Sequence, residues 1–132
     1  MSDFTVLVAD GNAAVRRVIS RVVEDKGNKT LQAPDGKTAL AMARQHHPDA
    51  IIVDARTPGM DGGQFCRALR EDASTRDIPV LMLSGAMEAR TRDEAGDSGA
   101  DASLEKPFSS EELSARVSMM VRRVEGGAPE KA

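Results

Sequence analysis

The sequence predicts an α/β fold in which helices alternate with the strands of a doubly wound, five-stranded parallel sheet. Three short apolar runs carry this prediction, at residues 6–9, 51–53 and 80–83. Runs this short and rich in branched residues are typical of strands buried on both faces of a parallel sheet. Residues 30–33 and 102–104 are weaker candidates for the other two strands. Five alternations of strand and helix favour this layered architecture over other folds.

The segments between these runs carry helical patterns. Apolar residues at spacings of three and four predict a first helix over residues 13–25, which Gly27 ends. A second helix is expected around residues 40–43, a third around 65–69, and a weakly patterned fourth over 87–97. Ser109 and Glu112 form a capping-box pattern that starts the last helix. We therefore expect one domain at residues 4–124, followed by a disordered tail or linker stub at 125–132.

Composition narrows the class of function. The chain has three Phe and neither Trp nor Tyr, so sites built on aromatic stacking are not expected. A net charge of -3 argues against general nucleic-acid binding and against binding to an anionic membrane. The single cysteine, Cys66, cannot form an internal disulfide. Together with the lack of a signal-peptide pattern or an apolar span, this predicts a cytoplasmic protein.

Polar residues follow the predicted strands. Asp10, Asp54 and Ser84 follow or end the three strong strands, and Lys106 follows the last one. Parallel sheets bind ligands at the carboxyl ends of their strands, so these four side chains are expected to meet there. Two close carboxylates need a cation, and oxygen ligands beside a phosphate select Mg²⁺. Each residue alone is an ordinary turn residue, whereas the set predicts an aspartate that accepts a phosphoryl group.

Four motifs resemble those of the receiver domains of two-component response regulators. They read VLVADG at 6–11, IIVDARTPGMDG at 51–62, VLMLSG at 80–85 and EKPF at 105–108. The resemblance covers about residues 4 to 124 and implies a flavodoxin-like sheet with strand order 2-1-3-4-5. It also implies a signalling switch rather than an enzyme.

The resemblance implies a role for each site residue. Asp54 would be the phosphoacceptor, served by a histidine kinase or a phosphotransfer protein. Asp10, Asp54 and the main-chain carbonyl of Arg56 would bind Mg²⁺. Ser84 would bond the phosphoryl group, and Lys106, before a cis proline, would pair with it. A downstream protein target and a homodimer through the fourth helix, fifth strand and last helix are also implied.

The chain departs from the family pattern at two positions, and a third position is informative. Gly11 stands where most members carry a second acid, so we expect weak Mg²⁺ binding, with Asn12 or a water as replacement ligand. Ser103 stands where many members carry a switch aromatic. The side chain of Arg56 is expected to overhang Asp54 and to slow hydrolysis of the acyl phosphate.

Two other functions remain open at this point. A receiver that has lost phosphorylation and acts only as an interaction module is favoured by Gly11 and by the missing aromatic. A flavin carrier or an aspartate-nucleophile phosphatase on the same fold is the other alternative. The flavin carrier would need aromatic rings and a phosphate loop rich in Gly, Ser and Thr after the first strand, which residues 10–13 do not form. The phosphatase would need a second acid two residues beyond its nucleophile, which neither Asp10 nor Asp54 has.

Overall fold

A computed structural model of the chain describes residues 4–85 and 99–131. The strands are β1 (Thr5–Ala9), β2 (Lys29–Ala33), β3 (Ala50–Asp54), β4 (Val80–Ser84) and β5 (Ala102–Glu105). The helices in the described ranges are α1 (Ala13–Asp25), α2 (Gly36–His46), α3 (Gly62–Glu71) and α4 (Ser110–Lys131). The predicted fourth helix, at residues 87–97, lies outside the described residues, so α4 here is the predicted last helix.

The five strands form one parallel sheet in the order β2-β1-β3-β4-β5. This confirms the predicted fold class and strand order. Every residue of β3 and β4 is buried, as expected for central strands covered on both faces. Because all strands point the same way, their carboxyl ends lie along a single edge of the sheet.

Two apolar clusters hold the sheet between its helices. One cluster packs Phe65, Cys66 and Leu69 of α3, with residues of α2, against one face of the sheet. The other packs Ile19 of α1 and Leu113 of α4 against the opposite face. Burial raises the pKa of the Cys66 thiol to about 11, so this thiol packs as a small apolar group.

Side-chain caps start the helices that flank the sheet edge. The side chain of Asn12 accepts hydrogen bonds from the first turn of α1, at Ala14 and Val15. Asp61 and Gln64 form a capping box at the start of α3. The capping box predicted from Ser109 and Glu112 is present, with bonds of 2.8 and 3.0 Å. These caps fix where each helix begins relative to the strand before it.

The guanidinium of Arg70 fixes the opposite, amino-terminal edge of β4 and β5. It donates hydrogen bonds to the carbonyls of Gly99, Arg76 and Ile78, and to the carboxylate of Asp101. The same Asp101 oxygen accepts from the backbone of Val80 at 2.8 Å. The role of Arg70 in these contacts is therefore to stabilise the fold.

The C-terminal helix is longer than the sequence predicts. Its backbone is helical as far as Lys131, whereas a disordered tail or linker stub was expected from residue 125. Gly126, Gly127 and Pro129 are poor helix formers. Pro129 also has no N–H to donate to the helix, so residue propensity does not account for this extension. The boundary of the domain at residue 124 stays a prediction. Within the described residues, no helix is long and apolar enough to cross a membrane.

The buried hydroxyl of Ser20 is expected to lower the free energy of unfolding. Its hydroxyl is buried in α1, and no described residue forms a hydrogen bond with it. An unsatisfied buried hydroxyl is unfavourable, and alanine is the better helix former. We expect Ser20→Ala to raise the free energy of unfolding by about 1 kcal/mol in denaturant titrations. Ser114→Ala, at a half-buried position of α4, is the control. Equal effects of the two changes would contradict the prediction.

Candidate functional site

Two carboxylates lie side by side at the carboxyl edge of the sheet. Asp54 is the last residue of β3, and Asp10 directly follows β1, its hydrogen-bonded neighbour. The register pairs Ala9 with Val53, so the two aspartates occupy matching positions. Asp10 is 6% exposed and Asp54 is 8% exposed. Both negative groups are therefore largely removed from water, which is unfavourable unless cations or N–H donors compensate.

Both carboxylate oxygens of Asp54 have a donor. The ammonium of Lys106 forms an ion pair with Oδ1, and the main-chain N–H of Arg56 donates to Oδ2 at 2.9 Å. The carbonyl of Asp54 accepts from the Thr57 hydroxyl at 2.6 Å and from the Thr57 N–H at 3.1 Å. The acceptor residue is thus held at its backbone and at both side-chain oxygens.

Asp10 has one satisfied and one unsatisfied oxygen. Oδ1 accepts from the main-chain N–H of Asn12 at 2.9 Å, whereas Oδ2 is buried and has no partner among the described residues. Burial raises the pKa of Asp10, and the nearby Asp54 charge adds to the rise. The Asn12 bond and the charges of Lys106 and Arg16 act in the opposite direction. The pKa is raised overall, because the cost of burying the charged carboxylate outweighs the contributions that favour it.

Lys106 and Ser84 complete the group. Ser84 ends β4 and is buried, and its carbonyl accepts from the main-chain N–H of Lys106 at 2.7 Å. That bond links the ends of β4 and β5 beside Asp54. The Lys106–Pro107 peptide bond is cis, as the resemblance implies. The four residues singled out in the sequence therefore stand at one edge of one sheet.

The donor set fits a hard divalent cation. Asp10 Oδ2 is a buried carboxylate oxygen without a partner, next to a second carboxylate. The described residues contain no cluster of three or more metal-binding side chains. Mg²⁺ does not require such a cluster, because it keeps several waters and often takes only one or two carboxylates plus a phosphate oxygen. Asp10, Asp54 and the Arg56 carbonyl are the groups that would hold such an ion.

Asn12 is a poor replacement for the missing second acid. Its side-chain oxygen already accepts the Ala14 and Val15 N–H groups at 2.9 and 3.1 Å. That oxygen is committed to capping α1. Of the two replacement metal ligands that the sequence suggested, Asn12 and water, only water remains.

Thr57 and Arg16 are site residues that the sequence patterns did not reveal. Thr57 is 3% exposed and locks the Asp54 carbonyl. Arg16 donates from Nη1 to the Asp10 carbonyl at 2.7 Å. The one sequence signal that could have revealed the Thr57 contact is its place in a turn, three residues after Asp54. In the sequence, nothing distinguishes Arg16 from other charged residues on a helix.

Two further positions that the sequence singles out, Ser103 and Arg56, lie in β5 and in the loop after β3. Ser103 is in β5, opposite Met82 of β4, and its carbonyl accepts from Arg116 of α4 at 3.0 Å. The side chain of Arg56 is exposed, immediately beyond the acceptor strand. No aromatic residue stands in β5 to act as the usual switch.

Comparisons with known proteins agree with this architecture. The chain is 40% identical over 120 residues to the DNA-binding dual master transcriptional regulator RpaA of Synechocystis. That match covers 91% of this chain and 50% of the relative, so the chain spans about half the length of this curated relative. A putative response regulator from Chloroflexus aurantiacus superposes with a TM-score of 0.85 at 30% identity, covering 92% and 100% of the two chains.

A third comparison concerns the metal. The receiver domain of the sensor histidine kinase PA1611 from Pseudomonas aeruginosa has a TM-score of 0.82 at 25% identity, covering 91% of this chain and 98% of that one. Its structure contains a magnesium ion coordinated in the active-site cleft. The sequence profile of the response regulator receiver domain matches residues 6–118. With its sheet order and the composition of its carboxyl edge, this chain belongs to the response regulator receiver domain family.

Proposed function

We propose that this domain accepts a phosphoryl group on Asp54 and thereby switches its binding to a partner protein. One observation carries the proposal: the buried Asp54 carboxylate is held between the Lys106 ammonium and the Arg56 N–H at the carboxyl edge of the sheet. A carboxylate in that setting is a positioned nucleophile with a cation beside the place where phosphoryl charge will develop.

The transfer follows from the contacts around Asp54. One carboxylate oxygen attacks the phosphorus of the donor, the new O–P bond forms, and the bond to the leaving group breaks with its electron pair. Lys106, now paired with Oδ1, is placed to move onto a phosphoryl oxygen. Ser84, buried at the end of the next strand, supplies a hydroxyl donor to the same group. Positioning and charge stabilisation would accelerate the transfer, whereas its free energy comes from the bond of the phosphodonor that breaks.

Mg²⁺ is the expected cofactor. When bound, it neutralises charge on the phosphoryl oxygens. Asp10, Asp54 and the Arg56 carbonyl would hold it, and its affinity is expected to be low because Gly11 replaces the second acid. The unpartnered Asp10 Oδ2 and the raised pKa of Asp10 support a cation site here.

The partners follow from this role. The phosphodonor is a histidine kinase or a phosphotransfer protein, and the output is a downstream protein target. The net charge of -3 argues against DNA binding by this domain, although the relative from Synechocystis is named as DNA-binding. A homodimer through the predicted fourth helix, β5 and α4 stays a proposal, and part of that face lies outside the described residues.

A phosphorylation-independent interaction module is the second candidate. Gly11 in place of an acid favours it, because the site then has fewer metal ligands. The ion pair between Lys106 and Asp54 favours phosphorylation, since an interaction module has no need of an ammonium group beside this carboxylate.

The two candidate functions predict different results in a measurement of intact mass. We expect acetyl phosphate to add one phosphoryl group to the folded protein when Mg²⁺ is present, and to add none to Asp54→Asn or when Mg²⁺ is chelated. Intact-mass spectrometry checks this directly. Asp61→Asn, which changes the exposed cap of α3, is the matched control and should still be labelled. A folded protein with no adduct at high Mg²⁺ would favour the interaction module.

The exposed guanidinium of Arg56 is expected to prolong the phosphorylated state. It follows the acceptor by two residues, where it can pair with the phosphoryl group and hinder an attacking water. We expect Arg56→Ala to shorten the half-life of the phosphoprotein several-fold. The half-life is measured by mass spectrometry after removal of the donor. Arg122→Ala, at an exposed position of α4, removes the same charge elsewhere. Equal half-lives for the two variants would overturn the expectation.

A further inference from the structure

Most of the polar groups of Asp10 have a partner. Its main-chain N–H donates to the carbonyl of Ala33 in β2 at 3.2 Å. Its side-chain Oδ1 accepts from the N–H of Asn12 at 2.9 Å, and its main-chain carbonyl accepts from Nη1 of Arg16 at 2.7 Å. Oδ2 is buried and has no partner among the described residues. Asp10 is therefore held at its backbone and at one side-chain oxygen, which leaves the other oxygen for a ligand.

Arg16 is the residue that holds Asp10 through a side chain. The other two partners are main-chain groups, whose positions depend on the sheet and on the turn after β1. Arg16 is the fourth residue of α1, and its own N–H donates to the carbonyl of Asn12 at 2.9 Å. Its half-buried side chain also brings Nε within 3.4 Å of Oε1 of Gln32. The guanidinium thus joins the start of α1 to the ends of β1 and β2.

We propose that Arg16 is a positioning residue of the metal site, which sets the affinity for Mg²⁺ by fixing the main chain of Asp10. Mg²⁺ demands near-ideal octahedral geometry and tolerates little displacement of a ligand. A contact that holds the backbone of a ligand residue therefore contributes to the affinity, although it does not touch the ion. This inference rests on the proposed Mg²⁺ site and deepens it, since it names a residue that acts through Asp10.

The charge of Arg16 would have the opposite effect on a cation. A guanidinium near the two carboxylates repels a divalent ion, so loss of the charge alone would tighten Mg²⁺ binding. Loss of the bond to the Asp10 carbonyl would release the backbone that carries the carboxylate, and this would weaken binding. The charge of Arg16 acts on Asp10 less than the charges of Asp54 and Lys106 do. We therefore expect positioning to outweigh charge, and the sign of the change in affinity separates the two.

The affinity is measured by titrating the ¹⁵N-labelled protein with Mg²⁺ in nuclear magnetic resonance spectra, without any phosphodonor. Arg16→Met keeps an unbranched stem that suits a helix but has no donor, and we expect it to raise the Kd at least about fivefold. Arg16→Lys retains one donor group and the charge, so its Kd should lie between those of the parent and Arg16→Met. An unchanged or lower Kd for Arg16→Met overturns the proposal, and so does a parent that does not bind Mg²⁺.

Arg17→Met is the matched control. It removes the same charge from the neighbouring, exposed position of α1 and should leave the Kd within about twofold, because an exposed charge is screened by solvent and salt. A rise in Kd for Arg17→Met equal to that for Arg16→Met would overturn the proposal, since the bond to the Asp10 carbonyl would then not be the cause.

The same spectra without Mg²⁺ report the position of Asp10. The amide of Asn12 donates to the carboxylate of Asp10, and such a bond moves the signal of an amide proton downfield. We expect this signal to move upfield in Arg16→Met and to stay in place in Arg17→Met, while the signals of β3 and β4 show that both variants are folded. An Asn12 signal that stays in place in Arg16→Met overturns the proposal.

Failure of the proposed function gives a different result from failure of this inference. A protein whose Mg²⁺ affinity depends on Arg16, but which takes no phosphoryl group from acetyl phosphate, refutes the proposed function alone. A protein that is phosphorylated on Asp54, but binds Mg²⁺ equally well as Arg16→Met and as Arg17→Met, refutes the inference alone.

Discussion

The arrangement of this domain depends on the compensation of two buried carboxylates. Asp10 and Asp54 end up side by side because β1 and β3 are neighbouring parallel strands. Burial of two like charges is unfavourable. The Lys106 ammonium and the main-chain N–H of Arg56 compensate Asp54, and the main-chain N–H of Asn12 compensates Asp10. One oxygen, Asp10 Oδ2, is left without a partner among the described residues. That unpartnered oxygen is the observation on which the proposed binding of a cation rests.

The loops that carry these groups are held by backbone contacts rather than by large side chains. A Cβ atom at Gly62 would lie 3.0 Å from Cα of Ala55 and 3.2 Å from the carbonyl oxygen of Asp54. Gly11 and Gly36 permit similarly close approaches to the loop at residues 58–60. Thr57 then locks the turn by two bonds to the Asp54 carbonyl. Small residues let the chain pack tightly here, and this packing positions Asp54.

The order of strands and helices, and the residues at the carboxyl edge of the sheet, could be predicted because each depends on a short stretch of sequence. Apolar runs identify buried strands, capping residues such as Ser109 identify helix starts, and parallel strands place the residues that follow them together. The contacts between loops were not predictable in the same way. Arg16 looks like any charged helix residue, and its bond to the Asp10 carbonyl depends on how α1 is oriented. The contact between Gly11 and Pro58 joins residues 47 positions apart in sequence, with no periodic signal.

The most direct test of the central claim is to identify the residue that carries the phosphoryl group. Borohydride reduces an aspartyl phosphate to homoserine, and peptide mass spectrometry then locates the change in sequence. For protein treated with acetyl phosphate and Mg²⁺, we expect conversion at Asp54 and at no other carboxylate. Conversion at Asp10 or Asp61 instead, or none in folded protein, would contradict it.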